Sequence, residues 1–457
     1  MQDLPAILQS QRDFFSTHKT KDTDFRIEQL KQLKKAVLAY EEELYEAFWQ
    51  DLRKSKFETY ETEIGLVLEE INNHIFHIHK WARPEKVHTN QLLHFWSSSR
   101  IYKEPYGVVL IMAPWNYPFQ LLITPLIGAI SAGNCVTVKP SALTPNVTDV
   151  IAKMISAYFR PDYIHCSTGE GGTGRDLLAQ TWDYIFFTGS QSVGRMVMQA
   201  AARNLTPVSL ELGGKNPCIV DAGANLKVAA SRIVWGKFLN AGQTCIAPDY
   251  LFVHASVKEE LLDLMKKKII QYFGSDPKDC IDFPRIVSEE KTRMLASFLT
   301  MGKIVTGGDA DIAEKYISPT ILDEVGPDCQ LMAEEIFGPV LPVLEFRDIH
   351  TVLNYINAHP KPLALYYFSE NTASQAEVLN KTSSGGSCIN DVIIHFANSG
   401  MPFGGAGHSG MGNYHGKFSF DTFSHHRSVM KKSTMVDIPL RYPPYKGKLR
   451  LLKMLLK

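Results

Sequence analysis

The sequence predicts an α/β protein made of two successive units, each a mainly parallel sheet with helices on its faces. Three observations carry this. From residue 101 onward, short β-rich runs alternate with helical stretches, the pattern that crossover connections between parallel strands leave in a sequence. The alternation pauses once, at the pair Gly213-Gly214, and then resumes. The length of 457 residues suits two large domains or about three of ordinary size, and 45 % apolar against 21 % charged residues is ordinary globular composition.

The chain opens on helices. Within 24–50, Ile27, Leu30, Leu33, Val37, Leu44 and Phe48 recur at helical spacing, and the segment from Glu61 to Trp81 repeats the pattern with Ile64, Val67, Leu68, Ile71, Ile75 and Ile78. Between Pro105 and Val138 no residue is charged, a length sufficient to cross a membrane. Pro105, Pro114, Pro118 and Pro125 interrupt it, together with Asn116 and Gln120. A buried strand, a tight turn and a buried helix are therefore expected instead of one spanning helix. The first unit then reads as strands in YGVVLIM, CVTVKP, DYIHCST, DYIFFTGS and PVSLEL, with helices over 144–159 and 191–203. The second reads as NPCIVD, YLFVHA, VLPVLEF, ALYYFS and GSCIN. No short-period repeat and no low-complexity linker is found.

Lys and Arg total 48, as do Asp and Glu, which argues against a nucleic-acid binder with its usual basic excess. The balance is uneven along the chain. Residues 427–457 hold nine Lys or Arg against the single acid Asp437, a net of +8, and the remainder carries −8. Seven cysteines, scattered and without a CxxC pair, fit free thiols in a reducing compartment. The N-terminus has early acids and no basic stretch ahead of an apolar run, so no signal peptide is expected.

Several residues stand out as chemistry. Cys245 follows Gly242, Gln243 and Thr244, a poor setting for an inert core thiol, whereas a reactive thiolate needs access and electropositive surroundings. Glu211 lies between Leu210 and Leu212 in a run that reads as a buried strand ending at a glycine turn; burial raises a carboxyl pKa and suits it to general-base work. Asn116, between aromatics and prolines, reads either as a turn asparagine or as a rigid oxyanion donor. Two glycine patterns compete for a phosphate site. GEGGTG (169–174) matches GxGxxG formally but carries Glu170 and leads into a short helix. FTGS (187–190) with Gly194 opens the better helix, and its N-terminus suits anions; it is preferred. His74, His77 and His79 recur at metal-like spacing but on the face away from the isoleucines, so they are expected to be solvated, as are His425 and His426, and no metal is expected.

Together these residues resemble the aldehyde dehydrogenase superfamily over nearly the whole chain. APWNYP (113–118), KPS (139–141), FTGS (187–190), LELGGKNP (210–217), GQTC (242–245), EEIFGP (334–339) and PFGG (402–405) occur in the family's order and approximate spacing. The short N-terminus, WNYP, residues 411–427 and RYPPY (441–445) are similar to the class 3, fatty-aldehyde branch. The resemblance implies two doubly wound α/β domains. A Rossmann-like cofactor domain would span 1–85 and 105–209, and a catalytic domain 210–415. Strands in 86–104 and 416–436 would bridge and oligomerise, and 437–457 would form a basic tail. It implies that Cys245 attacks an aldehyde, that Asn116 and the Cys245 N–H hold the oxyanion, and that Glu211 activates water to release the acid. It assigns Trp115, Lys139, Gly189, Ser190, Gly194, Glu335 and Phe337 to a nicotinamide cofactor, and Tyr117, Trp235 and His415 to the aldehyde funnel.

The expected reaction is therefore NAD(P)-dependent oxidation of medium- or long-chain aliphatic or aromatic aldehydes by a cytoplasmic homodimer. Alternatives are an acylating, coenzyme A-dependent or reductive enzyme on the same scaffold, and a non-redox thiol hydrolase or binding protein. Where the family often has a glutamate three residues after the lysine, this chain has Ala142. A carboxylate there would repel a 2′-phosphate, so NADP is expected to be tolerated alone or beside NAD. The last twelve residues, KGKLRLLKMLLK, read as a basic amphipathic helix, docked on the body or a partner subunit, or resting on an anionic membrane surface.

Overall fold

The computed structural model describes residues 4–91, 94–169 and 173–456. The N-terminal helices are α1 (Leu4–Ser16), α2 (Thr23–Ala39), α3 (Glu41–Leu52) and a short α4 (Lys56–Thr59), which continues through a π-helical turn (Tyr60–Ile64) into α5 (Gly65–Trp81). The periodic stretch over 24–50 is thus two helices, separated at Tyr40. Glu41, Glu42 and Glu43 crowd the first turn of α3, where the positive end of a helix dipole favours them. Leu30, Leu33, Val37, Leu44 and Phe48 are fully buried, as the spacing requires.

One expectation about α5 fails. His74 is buried, with Nδ1 at 2.8 Å from Ser131 Oγ and Nε2 at 3.1 Å from Glu70 Oε1. Val67, Ile71, His74 and Ile78 are spaced i, i+4, i+7 and i+11, so His74 lies on the isoleucines' own buried stripe and not on the opposite face, on a helix that packs against both α2 and the helix at Gln120–Ala132. His79 is exposed, and His77 stacks on Trp81 at 5.3 Å. Among the described residues no cluster of His, Cys, Asp and Glu is arranged to hold a metal, and all seven cysteines are free.

After α5 come β1 (Glu85–Val87) and β2 (Ser97–Pro105), then β3 (Val108–Met112), α6 (Gln120–Ala132), β4 (Cys135–Lys139), α7 (Pro145–Tyr158), β5 (Ile164–Cys166), α8 (Thr173–Leu178), β6 (Tyr184–Gly189), α9 (Gln191–Ala202) and β7 (Val208–Leu212). The uncharged stretch is the strand, turn and helix expected of it, and every residue of α6 is buried. Beyond the glycine pair lie β8 (Pro217–Val220), α10 (Leu226–Phe238), β9 (Tyr250–His254), α11 (Lys258–Phe273), α12 (Glu289–Phe298), β10 (Lys303–Thr306), a small hairpin of β11 (Ala310–Asp311) and β12 (Tyr316–Ile317), β13 (Thr320–Asp323), β14 (Val340–Phe346), β15 (Ala364–Phe368), β16 (Gly386–Ile389), β17 (Gly410–Met411) and β18 (Ser424–Lys432).

The strands form two large sheets. The first has the order β17-β7-β6-β3-β4-β5, parallel except for β17. The second has the order β10-β13-β14-β9-β8-β15-β16, parallel except for β10. The chain leaves β3 in one direction toward β5 and returns to its other side at β6, so the crevice at the carboxyl ends of β3 and β6 is a switch point, where doubly wound sheets bind ligands. A third sheet, β1-β2-β18, stands apart from both; β18 pairs with β2 over nine residues, from Ser424 opposite Pro105 to Lys432 opposite Ser97.

The C-terminal helix, Leu449–Leu455, leaves Leu449, Leu451, Leu452 and Met454 between 42 and 68 % exposed. It therefore does not dock on its own body. No helix among the described residues is long and apolar enough to cross a membrane.

Candidate active site

The carboxyl ends of the first sheet and the segments that lead into the second meet in one cleft. β3 delivers Trp115 and Asn116, β6 delivers Thr188, Gly189 and Ser190, and β7 delivers Glu211, its penultimate residue. Across from them, Cys245 precedes β9, Glu335 and Phe337 precede β14, and Leu363 precedes β15. The Cys245 carbonyl accepts from Asn216 Nδ2 at 2.7 Å, and the Asn216 Oδ1 accepts from Ala364 N–H at 2.8 Å, which ties the cysteine to the second sheet. Gly242 (φ 74°) must be glycine, because a Cβ there would lie 2.3 Å from the Gly338 carbonyl.

The electrostatics differ from those expected of an electropositive thiolate site. Burial, then the fields of Glu335 and Glu211, push the Cys245 thiol up. The flanking Gln243 and Thr244 are buried rather than exposed, with Gln243 bonded to the Asn240 and Arg285 carbonyls. Glu211 is 3 % exposed and neither carboxyl oxygen has a hydrogen-bond partner, so burial raises its pKa well above the ordinary carboxylate value. Asn116 is also buried, and its Nδ2 donates to the Gln243 carbonyl at 3.1 Å.

Two cavities reach Cys245 from different sides. The polar cleft just described runs on past Met112, Lys139, Ser141 and Ala142 at the carboxyl ends of β3 and β4. On the other side lies a channel of about 240 Å³ walled by Tyr117, Leu121, Trp235, Ile393, Phe396 and Phe403, with Glu61 the one charged residue among the described residues that line it. Leu121, Cys245 and Phe403 border both spaces.

Residues 2–429 match the sequence profile of the aldehyde dehydrogenase family. The 4,4′-diaponeurosporen-aldehyde dehydrogenase of Staphylococcus aureus is 48 % identical over 446 residues, covering 97 % of each chain. The chain belongs to the aldehyde dehydrogenase family. The dimeric NADP-preferring aldehyde dehydrogenase of Canis lupus familiaris is 41 % identical, covering 98 % of this chain and 99 % of its own. Family 3 members from Mus musculus, Homo sapiens and Bos taurus are 41 to 43 % identical. A solved structure, the substrate-bound state of Staphylococcus aureus AldH, superposes with a TM-score of 0.97 at 47 % identity and covers both chains fully. This protein is thus an aldehyde dehydrogenase, an oxidoreductase that oxidises aldehydes, and its two sheets are the family's Rossmann-like fold.

The dehydrogenase's polar cleft fits a dinucleotide by its own chemistry. Ser190 caps α9, whose first turn opens onto the cleft, and Thr188 Oγ1 and Glu335 Oε1 are buried without partners. Lys139 brings its ammonium to the cleft, where burial lowers its pKa. Trp115 and Phe337 meet edge to face at 5.4 Å. Gly213 lets Glu335 approach, since a Cβ would stand 2.0 Å from its Oε2.

Two residues fall elsewhere than expected. Gly194 does not line the cleft; a Cβ there would lie 2.7 Å from Leu212 Cδ2, so it lets α9 pack closely on β7. His415 does not line the apolar channel. It sits behind the wall, with its ring 4.8 Å from Phe396 and 5.7 Å from Phe403. Of the competing glycine motif, Gly169 and Gly174 also border the cleft, while Glu170, Gly171 and Gly172 lie outside the described residues. The sequence reading missed Asn216, Asn240, Thr244 and the charged trio Lys54, Glu58 and Glu63. Asn216 was visible inside LELGGKNP; the trio looks like an ordinary helix surface.

Proposed function

We propose that the enzyme oxidises medium- to long-chain aliphatic or aromatic aldehydes to carboxylic acids through a Cys245 thioester. The single observation carrying this is that the Cys245 side chain borders a polar, helix-capped cleft and an apolar channel at once. The channel, walled by aromatic and aliphatic side chains, suits an apolar tail more than a charged or short one.

Cys245 passes its proton to water in the cleft and adds through Sγ to the carbonyl carbon, forming a thiohemiacetal oxyanion. Asn116 Nδ2 and the Cys245 backbone N–H stabilise that oxygen. Lys139, Ser190, Gly189, Glu335, Phe337 and Trp115 would hold a nicotinamide cofactor, which would supply the hydride acceptor needed to take the thiohemiacetal to the thioester. Glu211 then takes a proton from water, the resulting hydroxide adds to the thioester, and the acid leaves with the Cys245 thiolate restored. A base sealed at this position favours hydrolysis over transfer of the acyl group to coenzyme A.

Both NAD and NADP are proposed as cofactors. No carboxylate stands among the described residues lining the far cleft, where Ala142 lies, and an NADP-preferring relative aligns over 98 % of this chain. A homodimer is proposed from the unpaired outer edge of β18. We place the enzyme in the cytoplasm, with the C-terminal helix resting on anionic membrane surfaces. The test is an aldehyde panel assayed with both cofactors on wild type and Cys245→Ala. Retained dehydrogenase activity in the variant overturns the mechanism, and a hundredfold or greater preference for NAD in kcat/KM overturns the cofactor reading.

A further inference from the structure

The nucleophile loop and the oxyanion loop are held by one buried asparagine that the reaction does not use. Asn240 is fully buried and sits in the left-handed region (φ 52°), followed by Ala241 (φ 52°) and Gly242 (φ 74°). Two successive non-glycine residues in that region persist only where their surroundings over-determine them. The surroundings are specific. The Asn240 backbone N–H donates to Glu58 Oε1 at 2.9 Å. Its Nδ2 donates to the Asn116 carbonyl at 2.8 Å and to the Gln243 carbonyl at 3.2 Å. The same Gln243 carbonyl accepts from Asn116 Nδ2. One side-chain amide therefore spans the residue carrying the oxyanion donor and the peptide two residues before Cys245.

The charges behind it belong to the N-terminal helices. Lys54 is 1 % exposed, 3.1 Å from Glu63 Oε1 and over the Tyr117 ring at 4.4 Å. Glu63 Oε2 accepts from the N–H groups of Phe119 and Gln120 at 3.2 and 2.8 Å, where α6 begins. Tyr117 in turn shares a 2.6 Å hydrogen bond with Thr244 Oγ1. Glu58 grips the cysteine side and Glu63 the asparagine side of the same gap.

We propose that Asn240, with its backbone held by Glu58, is a positioning residue that sets the distance and aim between Asn116 and Cys245. It rests on the reading of those two residues as oxyanion donor and nucleophile. Positioning of this kind acts on the transition state for addition and hydride removal, because a shift of about 1 Å in a reacting group costs about a hundredfold in rate. It leaves cofactor affinity alone, since Asn240 donates no hydrogen bond to Lys139 at the end of β4 or to Ser190 after β6.

The experiment is a double-mutant cycle on the full-length enzyme, reading the pre-steady-state burst of reduced cofactor per active site. Asn240→Ala is expected to slow the burst about 10- to 100-fold with the cofactor KM within threefold of wild type. Asn116→Ala is expected to slow it about 100- to 1000-fold, and the double variant is expected to match Asn116→Ala within threefold. Losses that multiply in the double variant, or a burst within threefold of wild type in Asn240→Ala, overturn the inference alone. An unchanged burst in Asn116→Ala overturns the oxyanion reading and the inference with it. If Asn240→Ala does not fold, Glu58→Ala enters the same cycle, and Glu58→Gln, which keeps an acceptor for the Asn240 N–H, is expected to recover most of the loss; equal losses in the two overturn the role given to Glu58.

Discussion

At Cys245 the thiol is pushed up by burial and by two carboxylates, so the uncharged form prevails in the free enzyme at neutral pH. Below its pKa the thiolate fraction grows tenfold with each pH unit. Alkylation of Cys245 by iodoacetamide in the absence of cofactor is therefore expected to accelerate steadily from pH 6 to 9, followed by mass spectrometry; a plateau below pH 8 would contradict the buried-thiol picture. Glu211, buried without partners, stands next to last in β7. Glu211→Gln is expected to keep the burst and lower steady-state turnover about 100-fold or more, leaving acyl-enzyme visible by intact mass. At the far end of the cleft, Ala142→Glu is expected to lower kcat/KM for NADP about tenfold or more relative to NAD. The sequence exposed these three positions because their neighbours repeat a family pattern. It did not expose Asn240 or Glu58, whose significance lies in partners more than a hundred residues away: Asn116 for one and Asn240 for the other.

Among the elements, the strands were the most legible, since parallel strands buried on both faces read as continuous apolar runs. The N-terminal helices were less so. The periodicity in α5 marked one buried stripe, and His74, three residues after Ile71 and four before Ile78, lies on that stripe, bonded to Ser131 of α6, although it was expected on the opposite face. Burial alone would raise the Glu70 carboxyl, but the field and hydrogen bond of His74 outweigh it and hold it down to about 2. A carboxyl whose pKa is lower in the folded state contributes stability above its unfolded value of about 4.3, and loses it as pH falls toward about 2. Glu70→Gln is thus expected to flatten the acid limb of a pH–urea midpoint curve between pH 4.5 and 2.5. The C-terminal helix poses a different question. Arg450 and Lys453 fall on one side and Leu451 and Leu452 on the other. Removing residues 446–457 is expected to abolish co-sedimentation with vesicles containing anionic lipid; equal binding by both forms would remove the membrane reading, and a loss of dimer instead would assign the helix to the partner subunit.

For the whole molecule, the charge balance conceals a division: an acidic body of −8 against a terminal stretch of +8. The two sheets were legible as two runs of alternation, but their mutual placement was not. Nothing local in the sequence says that the carboxyl edge of one sheet faces the segments leading into the other, because that arrangement depends on packing among distant elements. The small third sheet was legible only through the family pattern, since its polar strands carry little periodic signal.

That Cys245 borders two separate spaces also sets the traffic of the reaction. On the proposed assignment of the two spaces, aldehyde and dinucleotide would arrive by different doors, so neither would stand in the other's way, and a spent cofactor could leave while the acyl chain is still tethered in its channel. Saturating aldehyde should then leave the KM for the dinucleotide unchanged, and the last departure in each turnover is free to be either product.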